Sequence, residues 1–524
     1  MNATTLLCDV GADSALLDTQ TRYDLDLVAS ESNTLSSFFD KTITKRGSDE
    51  LKEFLLNPTD DIDTLSARQQ YLFFLLEHAE LSTSLRDELK GLALHEPKKR
   101  VKDDLGEQAL DRVYFSLPQL KKFNTNPYAL DVAYGMHIVG MCAPLIEHII
   151  LHLGIEFLAN ASHDHHHDHH GHHVGCKHSH MPAHTSDLVY YGLQTLHWGL
   201  HLPSLYDMAS DIKDRALMVK YVQAQAIRIA EYVRYAENIH CLLKDSKAQA
   251  ETFAPFGQLE YFFGDKPACS ESFQKLLSLL KKSTFQGDAS VWCHIGNVLA
   301  AYKLYGNVQD EFDKLTQAVS QIDIYLSAAA FMQGQIPDKP WCFATFVLHK
   351  KPTLIIEDLR HLFVSDSKAL DFSSEKSVRT LIIGDNGSGK STYLMSIGHA
   401  IILAQTFGIV PAARCEITPF SHIYTFRFIH DNMVDGTSRF YAECARVGKI
   451  VDTIQQDAKH ACVILDEPFS HTNASKGATY LKKSLADIGI LNNAISLIAT
   501  HYHDLDTARD EGWDMKELPA RVCA

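Results

Sequence analysis

Apolar positions recur along this chain with two different periods, and the change of period divides it. Early on they come at helical spacing: Leu35, Phe38 and Phe39, then Leu51, Phe54 and Leu55, then Leu72, Leu75 and Leu76. Asn57-Pro58 ends the second of these predicted helices, and Asp60–Asp63 begins a third. The same spacing returns at Leu217, Tyr221, Ala224, Ile227, Ile229 and Val233, at Phe273, Leu276, Leu277 and Leu280, and at Val298, Leu299 and Tyr302. Further on the pattern becomes short continuous apolar runs: Leu381-Ile382-Ile383, Cys462–Leu465 and Ile495–Ala499. Such runs suit strands buried on both faces of a parallel sheet. The expected fold is therefore α plus α/β. A tail (1–18) precedes an all-helical domain (19–335), and an α/β domain (336–524) follows, with strand-rich text at Phe343–Leu362.

One stretch of the helical part reads differently. Val132–Ala159 is strongly apolar and Leu188–Met208 is nearly free of charge. Between them an insert, 162–185, holds eleven histidines from His163 to His184, and Cys176. The flanks read as buried bundle helices or as a hairpin long enough, at ~20 residues each, to cross a bilayer. Glu147, Glu156 and Pro203 favour the bundle, since a charge at the bilayer centre costs at least ~2.5 kcal/mol. In the insert, His163, His165, His166, His167, His169, His170, His172 and His173 are candidate ligands for Zn²⁺ or another transition metal. No spacing among them picks out a fixed tetrahedral site, and a solvated insert with incidental metal affinity is the simpler reading.

The sharpest chemistry lies at Gly384-Asp385-Asn386-Gly387-Ser388-Gly389-Lys390-Ser391-Thr392. This is G-x-x-x-x-G-K-[ST] between a strand-like run and an apolar helix, the setting in which that pattern acquires meaning. Its glycines let backbone N–H groups turn inward on an anion at a helix N-terminus. Lys390 would reach the β- and γ-phosphates of ATP, and the Ser391 hydroxyl would join Mg²⁺. Downstream, the Cys462–Leu465 run ends in Asp466-Glu467. Asp466 is placed to hold the Mg²⁺ shell and Glu467 to polarise the attacking water. The Ile495–Ala499 run ends at Thr500-His501, with His501 a candidate γ-phosphate contact. In Asp435–Glu443, a Gly/Ser turn leads into a helix and offers Ser438 to phosphate, most naturally that of a second subunit. Singly, each has a plainer alternative: His501 as a core histidine, Asp466 as a strand-end cap and Ser438 as a helix cap. Together, in this order, they point to a nucleotide site.

The wording of these stretches resembles the MutS mismatch-repair ATPases, within the wider ABC-type ATPases. The matching text is GDNGSGKSTYLMSIG, GIVPAARCEITPFSHIYT, DGTSRFYAE, ILDEPFSH and LIATHYHDL. Upstream, Thr21-Arg22, Asn33-Thr34-Leu35, Leu56-Asn57-Pro58 and Arg68-Gln69 resemble landmarks of the family's helical core or lever domain, and Val319–Phe331 its last lever helix. The resemblance implies a homodimer or heterodimer with composite ATP sites, each borrowing Ser438 from its partner. It also implies DNA as a ligand and places Arg360-His361 near the nucleotide base. It begins at the lever, so a chain without the family's mismatch-reading domain is expected, and no β-rich run is long enough for a DNA clamp. The text departs from the family at Pro468–Asn473, at Asp431-Asn432 and at Arg439.

Composition sets limits on this picture. At 524 residues, 45% hydrophobic and 22% charged, the chain has the make-up of a globular protein with an ample core. Its net charge of −16 argues against a surface built for nonspecific nucleic-acid binding. Residues 375–524 carry 15 Lys+Arg and 17 Asp+Glu, so the helical part holds nearly all the excess. DNA contact would need a local patch such as Lys98-Lys99-Arg100 with Lys102, which reads first as a solvated helix face and only second as a phosphate contact. The eleven cysteines show no C-x-x-C pair and Met1–Thr21 lacks a basic leader, which fits a cytoplasmic protein. Two functions follow: a DNA-acting ATPase, or a mechanical ATPase that acts elsewhere, linked to a metal or a membrane through the histidine hairpin.

Overall fold

A computed structural model describes residues 16–27, 34–96, 114–164, 183–246, 254–290, 293–334, 340–364, 368–385, 387–427, 439–470, 472–502 and 505–518. Helices and sheets are mixed, and the chain forms two compact units. One comprises Met1–Ala93, Glu237–Lys266 and Lys314–Ala524, the other Leu94–Ala236 and Pro267–Asp313.

The second unit is helical. The two apolar flanks of the histidine insert lie in long helices, Pro127–Asp164 and Ala183–Asp245. Among the described residues no helix is long and apolar enough to cross a membrane. Helix Glu271–Leu280 starts where the Ser270 side chain accepts from the Phe273 amide, and it buries Phe273, Leu276, Leu279 and Leu280 along one stripe. Helix Ile295–Asn307 crosses the start of Pro127–Asp164 so closely that a Cβ on Gly296 would lie 1.9 Å from the Pro127 carbonyl oxygen. Only glycine permits that approach, and Asp131 Oδ1 accepts the Gly296 amide at 2.6 Å.

The first unit contains the sheets, and among the described residues no strand precedes Cys342. The strands are β1 (Cys342–Phe343), β2 (Thr345–Phe346), β3 (Leu354–Leu359), β4 (Leu370–Ser373), β5 (Arg379–Ile383) and β6 (Ile409–Val410). They continue with β7 (Arg414–Ile417), β8 (His422–Phe426), β9 (Ala461–Asp466), β10 (Ala494–Thr500) and β11 (Asp514–Glu517). A five-stranded sheet runs β11-β5-β10-β9-β8 with every pair parallel. A second sheet, β2-β7-β3-β4, pairs β3 antiparallel to both its neighbours. The burial of β9 and β10 explains their unbroken apolar text, because helices cover both faces. Helix Lys390–Phe407 is buried along nearly its whole length and is apolar accordingly. Helices Arg439–Asp457 and Ala474–Gly489 each bury one stripe, with Val447, Ile450, Ile454, Leu481 and Leu485 packed into a core with Val463, Leu465 and Ile498.

The early part of the chain packs into this same unit. Helix Lys390–Phe407 ends on Gly408, at φ 73, where a Cβ would lie 2.3 Å from Gln69 Cγ. Gln69 Nε2 donates to the Gly408 and Ala344 carbonyls, and Arg68 Nη1 donates to that of Thr406. At the other edge, residues 16–27 lie along β8. Leu17 bridges Ile423 in parallel, and Arg446 pairs with Asp18 at 3.0 Å. Leu25 packs against Gly398, and its carbonyl accepts from His399 Nε2 at 2.8 Å.

His399 gives this packing a pH signature. Burial pushes its pKa down to about 4, so the folded ring stays neutral where an unfolded histidine would be charged. The stability it contributes is complete above the ordinary value of about 6.5 and is lost as pH falls through the window down to about 4. The slope there should reach roughly 1.4 kcal/mol per pH unit. Urea midpoints measured between pH 7 and 4 should fall more steeply for the wild type than for His399→Gln. Parallel curves would show that this ring is not the titrating group.

Candidate functional site

In a parallel sheet the carboxyl ends of neighbouring strands share one edge, and ligands gather there. Here β5, β10 and β9 are adjacent, and their registers pair Thr500 with Ile383 and Ala499 with Asp466. Three segments distant in sequence therefore leave the sheet side by side: the loop from Gly384, the turn from Glu467 and the turn from His501.

The first loop owes its shape to glycine. Gly387 and Gly389 have φ of 83 and 91, and a Cβ on Gly384 would lie 2.8 Å from Ser388 Oγ. Lys390 opens the following helix and is buried. Its Nζ donates to the carbonyls of Gly384 at 2.7 Å and Asp385 at 3.0 Å, and stands 3.3 Å from Glu467 Oε1. Ser388 Oγ is buried without a hydrogen-bond partner. Ser391 lines the same small cavity as Asp466, while Thr392 lends its carbonyl to Ser396 Oγ inside the helix. Asn386 and Ser438 lie outside the described residues.

Asp466 and Glu467 end β9 in different settings. Burial pushes the Asp466 pKa up and the neighbouring Glu467 charge adds to this, against the Ser391 hydrogen bond and the positive charges of Arg427 and Lys390. Asp466 Oδ1 is buried with no hydrogen-bond partner. A half-buried hydroxyl and carboxylate side by side, with an unused carboxylate oxygen, are a hard-donor set that suits a small divalent cation such as Mg²⁺. Glu467 is in the left-handed region at φ 48, and Phe469 follows at φ 63. Each costs about 1 kcal/mol or more in a residue other than glycine, so the fold must hold the turn in place. It does so at four points. The Glu467 amide donates to Ala499 O at 3.0 Å and the Phe469 amide to Glu443 Oε2 at 3.0 Å. The Tyr502 hydroxyl donates to Phe469 O at 3.1 Å, and the Ser470 amide to Glu467 O at 3.3 Å. His501 Nδ1 stands 3.6 Å from Glu467 Oε2, too long for a hydrogen bond, and its ring lies against Tyr502.

Lys390, Ser391, Asp466, Glu467 and His501 thus converge. Arg360 Nε pairs with Asp358, and His361 packs its buried ring near Phe363 and His399. Residues His165, His166, His167, His169, His170, His172 and His173 and the side chain of His163 lie outside the described residues. Among the described residues no group of three or more His, Cys, Asp or Glu side chains is arranged to hold a metal ion. Sequence reasoning gave no role to Glu443, Arg427 or Tyr502. A glutamate on the buried stripe of an amphipathic helix was the one available signal, since Glu443 is 2% exposed.

Glu443 therefore carries a prediction that holds whatever the site does. Glu443→Ala removes the acceptor of a buried amide in a strained turn, which should cost about 1–3 kcal/mol. Hydrogen exchange should speed up at Glu467–Ser470 while the β5 and β10 amides stay protected. Unchanged exchange in that turn would refute the anchoring role.

Family models for two MutS domains match the chain: domain III over residues 20–168 and domain V over residues 380–522. The DNA mismatch repair protein MutS of Haloquadratum walsbyi is 33% identical over 217 residues, covering 39% of this chain and 22% of that protein. The DNA mismatch repair protein Msh6 of Gallus gallus is 26% identical over 260 residues, covering 46% of this chain and 19% of that protein. The match to MutS of Prochlorococcus marinus extends over 523 residues at 22% identity, covering 94% of this chain and 52% of that protein. The chain spans about half the length of these curated relatives or less. The two domain matches, in the order and at the places where the motifs stand, establish that this chain belongs to the MutS family.

Proposed function

We propose that the chain binds and hydrolyses ATP with Mg²⁺ through a P-loop ATPase domain of ABC type. Paired with a second such domain, its own or a relative's, it would turn that reaction into movement of its helical core on mismatched or branched DNA. The observation that carries this reading is the convergence of Lys390, Ser391, Asp466, Glu467 and His501 at the ends of three adjacent parallel strands.

In this reading Gly384, Asp385, Asn386, Gly387, Ser388, Gly389 and Thr392 shape the phosphate cradle. A phosphate oxygen would compete with the Gly384 and Asp385 carbonyls for the Lys390 ammonium, and a charged acceptor makes the stronger bond. Ser391 and Asp466 would hold Mg²⁺, which when bound offsets the negative charge of the β- and γ-phosphates. Glu467 accepts a proton or a hydrogen bond from the attacking water, and the anchored turn keeps its carboxylate aimed. His501 donates toward the γ-phosphate from beside Glu467. Ser438 would serve the partner's nucleotide. Reduced cysteines and an ATP-consuming role suit the cytoplasm.

Mismatch repair or recombination is the fitting setting for a MutS member. The acidic helical part favours a second reading, a mechanical ATPase that acts without DNA, because electrostatic attraction to phosphate backbones would have to be local. Three measurements test the scheme. Lys390→Ala should weaken ATP binding by about 30-fold or more, the loss of one strong charge-assisted contact. Glu467→Gln should keep nucleotide affinity while turnover falls about 10²- to 10⁴-fold, and with ATP it should run as a dimer in light scattering. Turnover should rise with mismatched or branched duplexes, in a salt-sensitive way. ATPase lost in neither variant would overturn the ATP reading, and turnover indifferent to every DNA would leave the second reading.

A further inference from the structure

Helix Pro127–Asp164 turns one face to its own unit and leaves another bare. Leu130 and Ala133 are buried, and Tyr134 is close enough to Arg215 of helix Ala183–Asp245 to feel its charge. On the other side Tyr128, Val132, Met136, Val139, Ile146 and Ile150 are between 45% and 81% exposed. At about 100° per residue these six fall in a stripe about 80° wide. The helix is open beside them as well: a Cβ built on Gly135 or Gly140 would meet no atom within 4 Å. A continuous apolar row of this length is uncommon on a monomer and marks an interaction surface.

Chemistry narrows the partner. From Pro127 to Asp164 the helix has no lysine or arginine, and between Val132 and Ile146 it has no charged residue at all. It offers nothing to the phosphates of a nucleic acid, and a helix lying on an anionic bilayer needs basic flanks. The occupant it fits is an apolar protein surface, and the spacing selects which. Val132, Met136, Val139, Ala143, Ile146 and Ile150 alternate steps of four and three, the seam along which helices wind round each other. The row also reads nearly the same in both directions. Val132 and Ile146 each stand seven residues from Val139, and Tyr128 and Ile150 each stand eleven. A twofold axis at Val139 would therefore set every one of these side chains against an apolar one of an antiparallel second copy, as an isologous contact requires. The row is about 33 Å long at 1.5 Å per residue, some three heptads, and the glycines on its flanks leave room for a second backbone.

We propose that two copies of this chain pair through the exposed row of helix Pro127–Asp164, antiparallel, with Val139 meeting its counterpart at a twofold axis. This contact lies in the helical unit, is separate from the pairing of ATPase domains and needs no nucleotide. Charge favours the place. At a net charge of −16 two copies repel each other, and a charge-free row is where that repulsion is least.

The test is sedimentation equilibrium of the full chain in EDTA without nucleotide, so that pairing driven by ATP does not contribute. The wild type should form dimers. Val139→Glu, at an exposed position where the fold tolerates a charge, should raise the dimer dissociation constant about 100-fold, because two carboxylates would be buried face to face. Its helical circular dichroism should match the wild type. On mild oxidation Val139→Cys should cross-link to itself, located by peptide mass mapping. A mixture of Tyr128→Cys with Ile150→Cys should cross-link between the two variants, and Tyr128→Cys alone should not join to itself. A wild type that stays monomeric, dimers untouched by Val139→Glu, or Tyr128→Cys joined to itself would overturn the proposal. So would binding to anionic vesicles that Val139→Glu abolishes with no change of mass in solution, since lipid would then be the occupant.

Discussion

The candidate site depends on all five strands of the main sheet running the same way. Parallel direction gives the sheet one edge at which every strand ends, and adjacency of β5, β10 and β9 brings a lysine, two carboxylates and a histidine to that edge. Were one of the three reversed, its side chains would stand a strand length away, at the opposite edge. Parallel strands must in turn be connected by crossovers, and here helices cover both faces. The apolar text of β9 and β10 and the position of the catalytic candidates are thus one constraint seen twice.

Strain at the edge follows from the same arrangement. A chain leaving a central strand must turn at once to avoid the helix that covers the sheet, and Glu467 and Phe469 do so in the left-handed region. Glycine would make that turn at lower cost but would carry no carboxylate. Glu443 from helix Arg439–Asp457, Ala499 from β10 and Tyr502 from the turn after it secure it instead. Gly477 is small for this reason, since a Cβ there would lie 2.2 Å from the Tyr502 hydroxyl.

Much of this was legible in the text because local chemistry left a mark. The glycines around Lys390, the apolar runs and the carboxylates at their ends each follow from a single element. A family resemblance carried by motifs such as LIATHYHDL then linked them. Other features left no mark. Asp18, Asp24 and Asp26 look like a solvated acidic run, yet Arg446, Thr425 and Arg427 each take one of them as a partner across some 400 positions of sequence. Gln69 looks like a surface residue, but it seals the end of helix Lys390–Phe407. Periodicity reports which face of an element is buried, and it is silent about which polar side chain on that face meets which backbone.

Charge closes the account of the N-terminal segment. Asp24 shares a small cavity with Ser391 and Asp466, Glu467 follows Asp466 directly, and among the described residues Lys390 and Arg427 bring positive charge to that carboxylate. Burial and the Glu467 charge raise the cost of ionising Asp466, and Arg427 and Lys390 oppose them. Asp26 also accepts the Leu35 amide at the first turn of helix Leu35–Phe39, so one residue links that helix to Arg427.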